Sequence, residues 1–206
     1  MRRSPGPDER QRDPERSKQQ LLDAAVVEFG AHGFSGARVG EIAARAGVNK
    51  QLISYYFGGK EGLYRAVADR WRASEPTISA DADSLGEVVG AYARETVRQP
   101  DLLRLLVREA VDRETAVLDA EGQRARFQGM LDDFRRRQSD GELAADLDAA
   151  YTGLALFGLA AAPVVFPQIA RALGLDPDTD DFTERYGEEV ARLVAHLAEK
   201  PRDPDE

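Results

Sequence analysis

The sequence predicts an all-α protein. Its 206 residues contain no run of strand length in which apolar and polar residues alternate between turn residues. Apolar residues recur instead at helical spacing, and a hydrophobic fraction of 42% is enough to fill a core. The breaks between apolar segments carry Pro, Gly, Asp or Ser, which are typical of helix ends. These observations indicate helices that form one large domain or two modest ones.

The first helix is predicted to begin at Asp13 and to end near Gly33. Asp is a good N-cap, Pro14 suits the first helical position, and Glu15 favours the positive end of the helix. Residues 1–12 are polar, and we expect them to form a disordered tail.

Two short helices follow, Val39–Ala46 and Asn49–Tyr56, with Gly47 between them. Two short helices joined by a tight turn that contains Gly are typical of a helix-turn-helix, whose second helix enters the DNA major groove. This segment therefore predicts that the protein binds DNA.

The remaining helices are each bounded by a residue that caps or breaks a helix. The predicted ranges are Lys60–Glu75 before Pro76, Ser84 to Pro100, a helix from Asp101, residues 114–138, Asp146 or Asp148 to Pro163, Pro167–Leu173, and Asp181–Glu199. The most apolar stretch, Gly153–Phe166, has 14 residues and is too short to cross a bilayer, so it predicts a core helix.

Composition argues against several classes of site. The absence of cysteine excludes disulfides and thiolate metal sites, and His32 and His196 lie too far apart in the sequence to suggest a histidine metal site. No metal or other cofactor is therefore expected. Because no hydrophobic segment follows the basic start, we expect no signal peptide and a cytoplasmic location.

Charge is distributed unevenly along the chain. Residues 1–70 carry 12 Lys+Arg and 9 Asp+Glu, a net charge of +3, whereas the whole chain has a net charge of −9. The acidic residues thus lie mainly away from the helix-turn-helix, where they can limit non-specific DNA binding.

A set of short motifs with fixed spacing carries a family resemblance. They are Leu22-Asp-Ala-Ala25, Phe29, Gly33-Phe34, Val39-Gly-Glu-Ile-Ala43, Ala46-Gly-Val48 and Tyr56-Phe57-Gly-Gly-Lys60-Glu-Gly-Leu63. Together they resemble the N-terminal domain of the TetR family of transcriptional regulators. The resemblance implies a helix-turn-helix domain at 13–59, a ligand-sensing and dimerisation domain at 60–200, and a tail at 201–206. It further implies a repressor that binds palindromic operator DNA as a homodimer and is released by a small hydrophobic effector.

Several side chains of the helix-turn-helix are candidates for DNA contact. They are Arg38, Asn49, Lys50, Gln51, Leu52, Ser54, Tyr55, Tyr56 and Lys60. Gln can pair with adenine, Lys can bind guanine or phosphate, and Leu can meet a thymine methyl group. Asn49 can cap the recognition helix, while Tyr55, Tyr56 and Lys60 are placed to reach phosphates. In the family a Ser or Thr usually stands where this chain has Arg38, so the N-cap of the preceding helix is lost, at a cost of about 1 kcal/mol.

The resemblance also suggests residues for the effector site and for the dimer interface. The effector candidates are Tyr92, Phe127, Met130, Phe134 and Phe157. An aromatic and Met pattern of this kind also fits an ordinary core. The dimer candidates are Tyr151, Leu154, Gly158, Phe182, Tyr186, Val190, Leu193 and Leu197, on two helices that would pair across a two-fold axis.

Two other classes of protein remain as alternatives. An all-α enzyme is one, but the chain offers no metal constellation, cysteine or Ser-His-Asp arrangement to support it. A helical interaction module that no longer binds an operator is the other. Against it stands the retention of Lys50, Gln51, Tyr55, Tyr56 and Lys60.

Overall fold

The computed structural model describes residues 7–111 and 119–198. Within those ranges every regular element is an α-helix, as predicted. The helices are α1 (Pro7–Gly36), α2 (Val39–Ala46), α3 (Gln51–Phe57), α4 (Lys60–Ile78), α5 (Leu85–Arg98), α6 (Pro100–Val111), α7 (Ala120–Ser139), α8 (Ala149–Val165), α9 (Pro167–Ala172) and α10 (Asp180–Ala198).

The predicted caps largely hold. The Ser84 hydroxyl oxygen accepts a hydrogen bond from the Glu87 backbone N–H, and the Glu87 carboxylate accepts one from the Ser84 N–H, which completes a capping box. The Asp148 carboxylate accepts from the N–H groups of Ala150 and Tyr151 and so opens α8. Of the two aspartates considered for this role, Asp148 is the cap.

Three prolines that were expected to bound or interrupt helices lie inside them. Pro14 is within α1, so that helix begins at Pro7 and residues 7–12 belong to it; the prediction of a disordered tail is wrong there, and residues 1–6 lie outside the described residues. Pro76 is within α4, and Pro163 is buried within α8. Each proline removes one backbone donor, a penalty that packing of the rest of the helix can outweigh.

The chain divides into two compact units. The first contains α1–α3, α4 as far as Trp71, and α6 from Arg104 onward. The second contains the remainder of α4 and α6 together with α5 and α7–α10. The first unit thus includes part of α4, whose side chains Leu63, Tyr64 and Val67 are buried.

The first unit has a core of large apolar side chains. Phe29 packs with Phe34 and Tyr64, whose ring centroids lie 6.0 Å and 5.6 Å from its own. Ile42 of α2 and Ile53 of α3 are almost completely buried. Because these residues bury one face of α2 and one face of α3, the opposite face of each helix is exposed to solvent.

In the second unit, α5 and α10 cross at unusually close range. A Cβ at Gly86 would lie 2.5 Å from the Ala191 carbonyl oxygen, and a Cβ at Gly90 would lie 2.5 Å from that of Gly187. Glycine is therefore required at this crossing. Around it the core contains Val89, Phe134 and further apolar side chains from α7, α8 and α10.

Candidate nucleic-acid interface

The turn between α2 and α3 has the geometry expected of a helix-turn-helix. Gly47 adopts a left-handed conformation with φ of 67°, and its N–H donates to the Ala44 carbonyl oxygen. The Val48 N–H donates to the Ala43 carbonyl oxygen at 3.1 Å. These two hydrogen bonds close a tight turn between α2 and α3.

Asn49 shapes the start of the recognition helix. Its side-chain Oδ1 accepts a hydrogen bond from the Gln51 N–H at 2.9 Å, which closes a turn before α3; the N-cap of α3 is Lys50, whose side chain makes no capping hydrogen bond. The helix itself begins at Gln51, two residues later than predicted, because Asn49 and Lys50 form the preceding turn.

The outer face of α3 carries most of the predicted contact residues. Lys50, Gln51, Ser54 and Tyr55 are exposed, and the Tyr55 side chain is 79% exposed. Leu52 and Tyr56 are half-buried, at the edges of this face. A large aromatic residue that stays exposed on a helix packed through its opposite side is typical of a binding surface.

Lys18 of α1 lies beside this face, which the sequence did not suggest. Its ammonium group is 5.5 Å from the centroid of the Tyr56 ring, and Tyr55 and Tyr56 meet edge to face at 5.0 Å. A hydrogen bond with Glu15 and the charge of that carboxylate raise the pKa of Lys18. No spacing rule could have linked residues so far apart in the chain.

Arg38 stands at the N-terminal end of α2 and is exposed. Its side chain makes no capping hydrogen bond, as expected. The Arg38 backbone N–H instead donates to the carboxylate of Glu28 at 3.2 Å. Glu28 belongs to α1 and is only 4% exposed, and no sequence signal had marked it.

Lys60, which the sequence predicts to reach a phosphate, is half-buried at the first position of α4. Its Nζ donates to the Ser35 carbonyl oxygen at 3.2 Å and lies 4.8 Å from the centroid of the Phe34 ring. Burial lowers the pKa of Lys60, and the nearby carboxylate of Glu28 acts in the opposite direction. The partners of this cation in the structure lie in the last turn of α1, after the kink at Gly33.

The second half of α6 also belongs to the first unit. The Arg108 Nε donates to the Gly30 carbonyl oxygen at 3.0 Å, and Tyr64 of α4 donates to the Glu109 carboxylate. Burial raises the pKa of Glu109, while the bond from Tyr64 opposes that shift. Both α1 and α4 are thereby bonded to α6.

The residues suggested for an effector site pack against one another in the second unit. Phe134 is buried in the core, and it and Met130 lie directly against Gly153 of α8. Phe127 and Phe157 meet edge to face at 6.0 Å. Phe134 therefore serves as a core residue.

Tyr92 has a polar environment. Burial raises the pKa of its hydroxyl, and the charges that act on it come from Glu75, Arg126 and Asp133. Glu75 and Arg126 form a partly buried ion pair at 2.5 Å. The sequence had not indicated charged groups beside these aromatic side chains.

A separate open cleft of about 410 Å³ lies between α4 and α5 in the second unit. Its lining is mainly polar and comprises Ser74, Thr77, Ile78, Ala91, Arg94, Glu95, Arg98 and Gln99. None of these residues was among the predicted effector contacts.

The predicted dimer residues fall into two groups. Tyr151 and Leu154 are 79% and 70% exposed, Leu193 is 49% exposed, and the space beside Gly158 is open. Phe182 and Val190 are buried within the subunit, so their assignment to a free face is wrong. Tyr186 stacks on Phe182 and donates its hydroxyl proton to the Leu159 carbonyl oxygen at 2.7 Å. The side chain of Leu197 lies outside the described residues.

Within the parts of the chain that the structure describes, no group of three or more His, Cys, Asp or Glu side chains could hold a metal ion. No helix there combines the length and apolarity needed to span a membrane.

Two family models match the chain. Residues 21–67 match the model for bacterial regulatory proteins of the tetR family, and residues 84–194 match a tetracyclin repressor-like C-terminal domain. The HTH-type transcriptional repressor SCO4008 of Streptomyces coelicolor is 33% identical over 89% of this chain and 97% of its own length.

Solved structures agree with this match. The transcriptional regulator SCO4942 from Streptomyces coelicolor superposes with a TM-score of 0.65 at 27% identity, over 86% of this chain and 97% of that one. FadR from Bacillus subtilis, solved with stearoyl-CoA, superposes with a TM-score of 0.63 at 17% identity, over 87% of this chain and 98% of that one. The FadR similarity concerns the fold alone.

Proposed function

Because this chain belongs to the TetR family and is a transcriptional regulator with a helix-turn-helix, we propose that it binds a palindromic operator as a homodimer and represses transcription until a small effector releases it. The observation that carries this proposal is the outer face of α3. Ile53 anchors that helix in the core, while Lys50, Gln51 and Tyr55 remain exposed. Such a regulator acts in the cytoplasm, in contact with the chromosome.

Within this interface the side chains divide by role. Gln51 and Leu52 read base edges, Lys50 binds guanine or phosphate, and Ser54 supplies a further hydrogen bond. Arg38, Tyr55, Tyr56 and Lys18 bind phosphates and so set the register of the protein on the duplex. Base contacts set sequence preference, whereas phosphate contacts strengthen binding to every sequence.

We place the dimer interface on the exposed apolar side chains of α8 and α10. Tyr151 and Leu154 of α8 are largely exposed and Leu193 of α10 is half exposed, so both helices offer apolar side chains to a second copy. Gly158 leaves room for close approach of a second copy. Two copies related by a two-fold axis present two recognition helices to a palindrome.

The effector in this proposal is a small, mainly hydrophobic molecule that contacts the half-buried side chains of the second unit. Tyr92, Phe127, Met130 and Phe157 supply apolar surface, and the Glu75–Arg126 pair supplies charge for orientation. Effector and DNA favour different arrangements of the dimer, so each lowers the affinity for the other. The two helices that contribute residues to both units, α4 and α6, carry this coupling.

Selection of bound duplexes from a random DNA pool tests the operator proposal. We expect a palindromic consensus and a complex that contains two chains. Its affinity should fall with salt with a slope of about −0.9 per neutralised phosphate. If the protein retains no duplex at low salt, the proposal is refuted, and an interaction module without DNA becomes the better description.

The effector proposal is tested by a small-molecule screen that measures thermal unfolding. A compound that raises the unfolding temperature must also release the selected duplex. A stabilising compound without effect on DNA binding would contradict the proposed coupling.

A further inference from the structure

The segment of residues 33–38, which we call the α1–α2 segment, connects α1 to the helix-turn-helix. It begins at Gly33, where φ is 68° and α1 kinks, includes the last residues of α1, and ends at Arg38, the N-cap residue of α2. Because α2 carries α3 through a tight turn, any rotation of α2 at this point moves the recognition helix.

Glu28 holds one end of the segment. Its carboxylate accepts the hydrogen bond from the Arg38 N–H at 3.2 Å, although the two residues lie on different helices. A helix N-terminus has unsatisfied donors and a partial positive charge, and a carboxylate satisfies both. Since no side chain caps α2, Glu28 supplies from α1 part of what a local cap would give.

Lys60 contacts the middle of the segment. Its ammonium group donates to the Ser35 carbonyl oxygen at 3.2 Å and covers the Phe34 ring at 4.8 Å from its centroid. Lys60 is the first residue of α4, where a cation is disfavoured by the helix dipole. The contacts of Lys60 with the segment, together with the favourable charge of the nearby Glu28 carboxylate, offset the unfavourable interaction with the helix dipole.

We propose that Glu28 and Lys60 together clamp the α1–α2 segment and thereby fix the angle at which α2 and α3 meet DNA. Both are positioning residues. Glu28 is too deeply buried to reach a duplex, and the Lys60 ammonium group is engaged with Ser35 and Phe34. The inference rests on the proposed operator binding for its functional consequence.

The first experiment compares Lys60→Met with Lys50→Met. The probe is a duplex from the random-pool selection, and affinity is measured over a range of salt concentrations. Loss of a phosphate contact lowers the magnitude of the salt slope by about 1, whereas loss of a positioning residue weakens binding without that change. We expect Lys60→Met to weaken binding with an unchanged slope and to lower the unfolding temperature by about 2–4 °C.

Lys50→Met is the matched control because Lys50 is exposed on the contact face. It should lower the slope and leave the unfolding temperature unchanged. A Lys60→Met variant that behaves like Lys50→Met would overturn the clamp and return Lys60 to the phosphate contacts.

The second experiment restores a local cap. Glu28→Ala should reduce affinity about fivefold and lower the unfolding temperature, because it removes the acceptor for the Arg38 N–H. Arg38→Thr introduces a hydroxyl that can cap α2 independently of α1. In the Arg38→Thr background, Glu28→Ala should therefore cost clearly less in unfolding temperature and in affinity.

Equal costs in the two backgrounds would show that Glu28 only fills the core, and the clamp would be rejected. Glu28→Gln keeps an acceptor oxygen and should fall between the parent and Glu28→Ala. Thermal unfolding of the free protein reports on the clamp even if no duplex is selected, so failure of the clamp and failure of operator binding are distinguishable.

Discussion

Gln51 is the residue for which we propose the most direct contact with a DNA base. It is exposed at the first position of α3, and its amide can form paired hydrogen bonds with adenine. Arg38 is also exposed but lies at the end of α2, where a guanidinium group reaches the DNA backbone more readily than a base. Substitutions of Gln51 and Arg38 should therefore affect DNA binding in different ways.

We predict that Gln51→Ala changes which operator variants bind, with a loss of discrimination of about 1–3 kcal/mol at one base position. Arg38→Ala should weaken all variants together and lower the salt slope. The measurement is the affinity of the Gln51→Ala and Arg38→Ala variants for a set of operators that differ at single bases. Uniform weakening by both substitutions would contradict the division of roles.

We expect Glu109 to make the stability of the first unit, which contains the helix-turn-helix, depend on pH. Burial raises the pKa of this carboxyl in the folded protein above its unfolded value, so the folded state binds a proton more readily. The associated stability is present below the unfolded pKa and is lost as pH rises through the folded pKa.

We therefore expect Glu109→Gln to flatten the dependence of the unfolding temperature on pH in the mildly acidic range, since the amide keeps an acceptor for the Tyr64 hydroxyl. Unfolding temperatures of the parent and variant from pH 4 to pH 7 provide the measurement. If the two curves remain parallel throughout, Glu109 does not cause the dependence.

At the scale of the helices, glycines decide how closely α5 and α10 approach. Gly90 has the Gly187 carbonyl oxygen where its Cβ would lie, so a methyl group must push the helices apart. Gly129 in α7 has no neighbour within 4 Å of that position. The same substitution should thus have opposite effects at the two sites.

Gly90→Ala is expected to destabilise the protein by about 1–3 kcal/mol through overpacking. Gly129→Ala should stabilise it by about 0.5–1 kcal/mol, because alanine loses less backbone entropy in a helix. Denaturant unfolding of the two variants tests the pair. A tolerated Gly90→Ala would mean that the crossing is looser than the structure indicates.

At the scale of the whole molecule, the proposed assembly depends on apolar side chains that the single chain leaves exposed. Leu154 of α8 belongs to the predicted interface, whereas Leu173, which is similarly exposed at 72%, follows α9 and was not among the predicted interface residues. These two leucines provide a matched comparison.

Leu154→Glu should convert the dimer to a monomer, since a charge would be desolvated at the interface. Operator affinity should then fall about a hundredfold or more, because the two recognition helices no longer act together. Leu173→Glu should leave the dimer intact. Sedimentation equilibrium and gel shifts measure both effects, and a Leu154→Glu variant that remains dimeric would place the interface elsewhere.

Local sequence was sufficient to predict much of the helix-turn-helix. The α2 range, the Gly47 turn, the Asn49 hydrogen bond and the exposure of Gln51 and Tyr55 all follow from it. Caps, turns and helical periodicity depend on residues within about one helical turn of each other, so the sequence carries them directly.

Tertiary structure decided what depends on residues distant in the chain. It placed Pro76 and Pro163 inside helices, joined Glu28 to Arg38, and turned Lys60 toward Ser35. It also buried Phe182 within its own subunit while it left Leu154 exposed, although both have the helical spacing of core residues. Periodicity identifies an apolar face, but only packing determines whether that face meets the protein's own core or remains free for a partner.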